Sequence, residues 1–344
     1  MAKREGAIIT ITTDTGIRGI GEIAPLTEFG SETLNEACKS FSHETTGLRG
    51  KSLERAWEKL SLLSHAALSG LETALLDIQG KIDGRSVGAL LSNTTTRVTI
   101  PVNAVVGARS IDDAVASALT AKQAGFTCIK LKVGSAGSSE KEIARIAAVR
   151  AAIGPDIHLR LDVNEAWTLK EAIAILSRCV PYKLQYVEQP LRRDDLPGMQ
   201  QLRRTLPIPI AADEALHDIE SARQIMRHGA ADILIIKPQL ADGLRASRQI
   251  ISEATQRGLQ CVVTTTIESG ISLAATLHLV AASPEVTLEC GLATQHLLVD
   301  DFIHEEILIH NGVMTVPTGF GLGVTLDDEA LKIYSTSSFR FHPL

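Results

Sequence analysis

The chain of 344 residues contains only five cysteines, at 38, 128, 179, 261 and 290, and no two of them form a CxxC pair. An odd, scattered set excludes a disulfide framework and a zinc ribbon. It fits buried thiols in a reducing compartment, the cytoplasm or, for an algal or plant source, the plastid stroma. No apolar run approaches the roughly 20 residues of a membrane span. The opening MAKREGAIITITTD has no apolar signal core with a cleavage site. There is no block of basic residues, and the net charge of −6 is spread over both signs. A nucleic-acid partner therefore has no electrostatic footprint. Three catalytic signatures are missing as well. The first strand-like segment of the repeat below runs into VVGARS instead of GxGxxG, no HExxH occurs, and Ser269 lies in ESG instead of GxSxG.

What is present is an ordinary globular composition, 44% hydrophobic and 22% charged, in a chain long enough for about two domains. Eight strand-like segments follow one another: IPVNAVV (100–106), TCIKLKV (127–133), IHLRLDV (157–163), LQYVEQP (184–190), PIPIAADE (207–214), DILIIKP (232–238), QCVVTTT (260–266) and VTLECGL (286–292). Helical spacing fills the intervals at 111–124, 139–153, 169–179, 217–228, 242–257 and 270–282, with a shorter piece near 195–204. In the first of these, Ile111, Val115, Leu119 and Lys122 share a side, with Ala114 and Ala118 beside them. Strand and helix alternating eight times predict a closed (β/α)8 barrel over 99–311. Residues 1–98 read as a hairpin followed by helices near 31–42 and 52–83, and 312–344 as a tail with one strand and one short helix. Together they predict an α+β cap. The glycine cluster at 319–323 reads as a turn.

The strands carry charge where a barrel keeps its chemistry, at their C-terminal ends. In CIKLKVG (128–134), alternation turns Lys130 and Lys132 to one face and Ile129, Leu131 and Val133 to the other. Asp162, Glu188, Asp213 and Lys237 follow Lys132 at steps of 30, 26, 25 and 24 residues, one per βα unit. Three carboxylates on adjacent strands suit Mg²⁺, with Mn²⁺ as the alternative. Lysines on both sides suit removal of a proton α to a carboxylate and stabilisation of the enediolate that results. A lone charged residue at a strand end is more often a solvated terminus. Five in register on consecutive units are not explained that way.

Neighbouring polar residues read differently. Asn164 is expected behind the ligands. Glu214 alternates away from Asp213 and is expected outside the site, Arg160 in a structural ion pair lower in the barrel, and His158 in the core. His65, His278 and His296 have no regular partner spacing, and Cys261 and Cys290 read as small buried hydrophobes.

KLKVG (130–134), RLDVNEAWT (160–168), YVEQPL (186–191), ADEAL (212–216) and IIKP (235–238) together resemble the enolase superfamily, in its muconate-lactonising subgroup, over nearly the whole chain. The resemblance implies acid–base roles for Lys130, Lys132 and Lys237 and metal ligation by Asp162, Glu188 and Asp213. Within the subgroup, GIGEIAPLTEFGSETL (19–34), TTTIESGISLAA (264–275) and ECGLATQHLLVDD (289–301) are similar to the o-succinylbenzoate synthases. That likeness implies dehydration of 2-succinyl-6-hydroxy-2,4-cyclohexadiene-1-carboxylate on the way to menaquinone or phylloquinone, with Thr266, Ser269, Gly270, Gly291 and Leu292 around the succinyl arm.

The eighth strand reads Cys290-Gly291-Leu292-Ala293, without the Asp-x-Asp by which dipeptide epimerases hold a substrate amine. N-acylamino acid racemisation, dipeptide epimerisation and muconate cycloisomerisation are the alternatives on the same scaffold, and a catalytically silent binding barrel is the alternative of another class. The resemblance departs from the family in two places: only three residues precede Arg4, where a further strand and a lid loop are expected, and the serine-rich segment after strand seven is threonine-rich. The partner implied is a small carboxylate, with no nucleic acid and no membrane, and a homo-oligomer is compatible.

Overall fold

The computed structural model describes residues 3–92, 96–135 and 137–336, so 337–344 of the predicted tail lie outside the described residues. The chain begins with an antiparallel hairpin, β1 (Ala7–Thr12) and β2 (Arg18–Ile23). Helices α1 (Leu34–Thr45), α2 (Leu53–Glu58), α3 (His65–Asp83) and α4 (Val87–Leu91) follow. Thr33 and Glu36 start α1 with a reciprocal capping box. The helix expected over 52–83 is broken between α2 and α3 by a short 3-10 turn at Leu60–Leu62. The hairpin lies directly on α3 because two glycines let the backbones meet. A Cβ on Gly21 would stand 2.0 Å from the Gly70 carbonyl oxygen.

The predicted first barrel strand is divided. β3 (Thr99–Pro101) leaves the barrel, and β4 (Ala104–Val106) begins it. Then come α5 (Ile111–Gln123), β5 (Cys128–Lys132), α6 (Ser139–Ile153), β6 (His158–Asp162), α7 (Leu169–Cys179) and β7 (Tyr186–Glu188). The series continues with α8 (Leu196–Thr205), β8 (Ile210–Ala212), α9 (Ile219–His228), β9 (Ile233–Ile236), α10 (Gly243–Gln256), β10 (Gln260–Val263) and α11 (Gly270–Ala281). The seven strands β4 to β10 form one curled parallel sheet in chain order.

The eighth predicted strand, 286–292, is no regular strand. Cys290 bridges to Val102 and Gly291 to Thr264, both parallel. Hydrogen bonds from Cys290 N–H to the Pro101 carbonyl (2.8 Å) and from Gly291 N–H to the Val263 carbonyl (2.9 Å) close the ring at these two residues alone. Beyond it, β11 (Ile309–His310) and β12 (Val313–Thr315) build an antiparallel three-stranded sheet with β3, and α12 (Asp328–Tyr334) ends the described chain. The glycine cluster at 319–323 is a turn packed on α3, where the Asp77 carboxylate accepts the Leu322 N–H (2.9 Å).

Alternation sorts the barrel as expected. Ile129, Leu131, Leu159, Leu161 and Val187 are buried in the core shared with the helices. The opposite face points inward, in layers. Lys130, Arg160 and Tyr186 are cross-strand partners, and two residues further on Lys132, Asp162 and Glu188 are. In α5 the expected apolar stripe is corrected: Ala114 and Ala118 are the buried residues and Ile111 is exposed, because the small side chains let the helix approach closely. All five cysteines are free; Cys38 is half-buried and the others buried.

At the N-terminal end of the barrel Arg160 is fully enclosed. It donates to Glu289 Oε2 (2.9 Å), to the Glu289 carbonyl (2.7 Å) and to Asn103 Oδ1 (3.2 Å), the structural ion pair expected of it. His158 is not a core residue. Its ring is 54% exposed, with Nδ1 2.7 Å from Glu289 Oε1, because it opens its strand at the barrel's solvent-facing end. Among the described residues no helix is long and apolar enough to cross a membrane.

Candidate active site

The rim at the C-terminal ends of β5 to β9 gathers the predicted lysines and carboxylates. Lys130 Nζ lies 3.0 Å from Glu188 Oε1 and 3.2 Å from Asp162 Oδ2. Lys132 Nζ lies 3.2 Å from the same Asp162 oxygen and 2.9 Å from Asn164 Oδ1. Lys237, one residue past β9, is hydrogen-bonded to Asp213. The two lysine groups thus flank the carboxylates, from β5 on one side and from the end of β9 on the other. Exposure separates the lysines: Lys132 is 43% exposed, while Lys130 and Lys237 are 13% and 7% exposed.

Asp213 stands beyond the end of β8, and its backbone is held by Gln189. The Gln189 side-chain oxygen accepts the Asp213 N–H (2.9 Å) and the Ala215 N–H (3.2 Å). Asn164 sits in the left-handed region (φ 46), which Asn tolerates better than most residues. It receives Lys132 and donates to Glu214 Oε1 (2.9 Å).

Glu214 therefore belongs to the rim, which corrects the expectation that it points away. Strict alternation stops with β8 at Ala212, and a turn closed by Leu216 N–H on the Asp213 carbonyl (2.9 Å) brings Glu214 inward.

Four carboxylates, Asp162, Glu188, Asp213 and Glu214, face three ammonium groups. Burial works against ionised Asp162, but Lys130 and Lys132 hold its carboxyl below the usual range. The uncompensated negative charge falls on its neighbours. Burial, opposed by Lys130 and reinforced by Asp162 and Asp213, pushes Glu188 up to about 8. Burial and Asp213 push Glu214 up to about 7. Burial lowers Lys130, yet Asp162 and Glu188 outweigh it and keep that lysine well above its ordinary value.

Among the described residues no three His, Cys, Asp or Glu groups stand in a ready-made metal cluster. Lysine ammonium groups lie between the carboxylates instead. Two buried carboxylate oxygens, Asp162 Oδ1 and Glu214 Oε2, nevertheless have no hydrogen-bond partner among the described residues. Unpaired buried carboxylate oxygen is costly, so an oxygen-seeking divalent cation fits this donor set.

The residues expected around a succinyl arm are engaged within the protein. Thr266 donates its N–H and its hydroxyl to Glu268 (both 2.7 Å). Ser269 donates its N–H (3.1 Å) and its hydroxyl (2.8 Å) to Glu22 on β2. Gly270 N–H is held by Asp301 (2.7 Å), Gly291 N–H closes the barrel, and Leu292 is buried in the core. In this structure the donors of Thr266, Ser269, Gly270 and Gly291 are all engaged by the protein itself. Ser269 fastens the loop after β10 to the cap. Arg4 completes that junction through the carbonyls of Ile267 (2.9 Å) and Pro25 (2.8 Å). Ile267 itself has φ 66, a strained value for a β-branched residue.

Sequence reasoning missed Phe29. It ends a 3-10 turn, Thr27–Phe29, that reaches from the cap to the rim, and Lys237 Nζ lies 4.9 Å from its ring centroid. Gly30 follows at φ 91, and a Cβ there would stand 2.5 Å from Arg193 Nη1. The only sequence signal was an aromatic residue just after the GEIAPL stretch.

Glu268 gives a measurable pH effect. Burial, with the charge of Glu22 in addition, pushes its carboxyl from 4.5 to about 7. Between those values the folded protein holds a proton that the unfolded chain has released. Stability from this group is therefore greatest below about pH 4.5 and falls as pH rises to about 7, by up to ~3 kcal/mol. Glu268→Gln does not ionise. Its melting temperature, measured relative to the native protein, is expected to rise between pH 5 and pH 8; a pH-independent difference refutes the assignment.

Comparison with known proteins adds a lineage to this geometry. The family model described as "Enolase C-terminal domain-like" matches residues 113–330, and that described as "MenC, N-terminal domain" matches residues 1–67. The o-succinylbenzoate synthase of Thermobifida fusca (strain YX) is 38% identical over 221 residues, 64% of this chain and 67% of that protein. The hydrophobic dipeptide epimerase of Enterococcus faecalis is 30% identical over 290 residues, 82% of this chain and 81% of that protein. Among solved structures, muconate cycloisomerase from Pseudomonas fluorescens superposes with a TM-score of 0.91 at 26% identity, covering 97% of this chain and 95% of that one.

Proposed function

The chain belongs to the enolase superfamily, and on that premise we propose that it is an o-succinylbenzoate synthase, a carbon–oxygen lyase that dehydrates 2-succinyl-6-hydroxy-2,4-cyclohexadiene-1-carboxylate in menaquinone or phylloquinone biosynthesis. The observation that carries the reading is a rim with lysines on both sides of a carboxylate set and no carboxylate at its eighth position. Asp162, Glu188 and Asp213 would hold a divalent cation, Mg²⁺ or Mn²⁺, whose charge makes the proton α to a bound carboxylate more acidic.

Lys132, the most exposed of the three lysines, reaches that proton in its amine form. The C–H pair stays on the substrate as enediolate charge, and the proton moves to Nζ. Lys132 then returns the proton to the departing hydroxyl, which leaves as water while the ring becomes aromatic. Asn164 aims Lys132 throughout. Lys130 and Lys237 meet the growing negative charge from β5 and β9. Phe29 and the Thr27–Gly30 turn keep water from Lys237.

The likeness to a dipeptide epimerase favours a second reading, in which one lysine removes an α-proton and the opposite lysine replaces it. A dipeptide brings an ammonium group that needs a carboxylate. Residues 290–293 offer none, Glu289 is turned to the barrel floor by Arg160 and His158, and Asp301 is held on Gly270. The test is turnover of the purified protein with Mg²⁺ on the cyclohexadiene, beside N-acylamino acids and dipeptides. Aromatisation seen by absorbance is expected to dominate. Racemisation without aromatisation overturns the reading.

A further inference from the structure

Helix α6 buries Ile143, Ile146, Val149 and Ile153 against the barrel. In the same face it also buries two charges, Glu142 and Arg145, exposed by 2% and 1%. Burying an ion pair where apolar side chains would serve costs several kcal/mol of desolvation, so what the pair touches matters. Arg145 is joined to Glu142 Oε1 through Nε (3.1 Å) and through Nη2. Its Nη2 also donates to the backbone carbonyl of Lys132 (2.8 Å), and its Nη1 to the carbonyl of Ala108 after β4. Glu142 Oε2 accepts the N–H of Gly134 (2.9 Å). The pair thus grips the main chain on either side of Val133 and ties it to the end of the neighbouring strand.

The inner side of the same turn is fixed as well. Val133 N–H donates to the Asp162 carbonyl (2.8 Å). Gly134 has φ 90, and a Cβ on it would stand 2.6 Å from the Ala166 methyl. Lys132 has a long, flexible side chain that is 43% exposed. Its Nζ can be placed reproducibly only if its Cα is, because a base displaced by about 1 Å loses on the order of 10²-fold in rate.

We propose that Arg145 and Glu142 are positioning residues for Lys132, a clamp applied from outside the barrel to the backbone of the group that moves the proton. Their hydrogen bonds among the described residues go to each other and to the main chain at Ala108, Lys132 and Gly134. The inference rests on the reading of Lys132 as the acid–base residue.

The test uses the full chain with Mg²⁺ and the double variant Glu142→Leu/Arg145→Met, which removes both charges at similar volume and leaves no unpaired ion in the core. Amide exchange followed by NMR is expected to speed up at Gly134 by tenfold or more, with the α7 core amides unchanged. Turnover number is expected to fall tenfold or more, with KM and the midpoint for Mg²⁺ activation within twofold of native. Arg145→Lys keeps the charge without the fork and is expected to fall between. A folded double variant with native turnover number overturns the inference, as does a Gly134 amide as protected as in the native protein. Failure of the native chain to aromatise the cyclohexadiene counts against the proposed function alone. The exchange comparison then stands unchanged, and turnover is read on the N-acylamino acid or dipeptide that is converted.

Discussion

Lys132→Ala is expected to lower turnover by at least about 10³-fold while the protein keeps its fold. General acid–base catalysis by one side chain contributes roughly 10²–10⁴-fold, and Lys132 is assigned both the removal of the proton and its return. The fold survives because little depends on this side chain. It is 43% exposed and among the described residues pairs with Asp162 and Asn164 alone, and Asp162 keeps Lys130 as its partner. Lys130→Ala should behave differently. It leaves Asp162 and Glu188 facing each other without the cation between them, and breaking a buried pair costs about 3–5 kcal/mol. Circular dichroism melts beside steady-state kinetics separate the two. Equal loss of melting temperature in both variants, or turnover within tenfold of native in Lys132→Ala, counts against Lys132 as the acid–base residue.

The rim was legible in the sequence because two periods coincide. Alternation within a strand sends Lys130 and Lys132 to one face, and the βα repeat returns a charged residue to the same rim about every 25 residues. Neither depends on tertiary detail, so spacing alone puts Asp162, Glu188, Asp213 and Lys237 at one rim, where the structure brings them together. The misses occur where a period ends. Alternation carried two residues past β8 sends Glu214 outward, but the turn there reverses it. The eighth strand-like segment spans 286–292 in the sequence, yet bridges at Cys290 and Gly291 suffice to close the ring.

Other features depend on partners that no period of the sequence reveals. Thr266 donates its hydroxyl to Glu268, two residues on, and Ser269 donates its hydroxyl to Glu22 on the distant cap. Phe29 reaches the rim from a cap turn that carries no barrel period, and the Arg145–Glu142 clamp hides in an ordinary-looking charged helix.

Removing divalent ions is expected to abolish turnover, and restoring Mg²⁺ is expected to raise the melting temperature by several degrees. The rim as it stands is electrically incomplete: four carboxylates share three lysines, and Asp162 Oδ1 and Glu214 Oε2 are buried without a partner among the described residues. A ligand that binds only the folded state stabilises it by RT ln(1 + [L]/Kd), about 2.7 kcal/mol at a hundredfold excess over Kd. For a domain above 150 residues each kcal/mol is worth roughly 2–4 °C. The shift should vanish in Glu188→Gln, which removes a carboxylate able to ionise onto a cation at the centre of the set, and persist in Lys132→Ala, whose loss leaves every carboxylate in place. Thermal melts with and without EDTA therefore test the metal site independently of any substrate. Undiminished turnover in EDTA, together with a melting temperature indifferent to Mg²⁺, would mean that Lys130 and Lys237 supply the rim's whole positive charge. The carboxylates would then serve to hold the lysines.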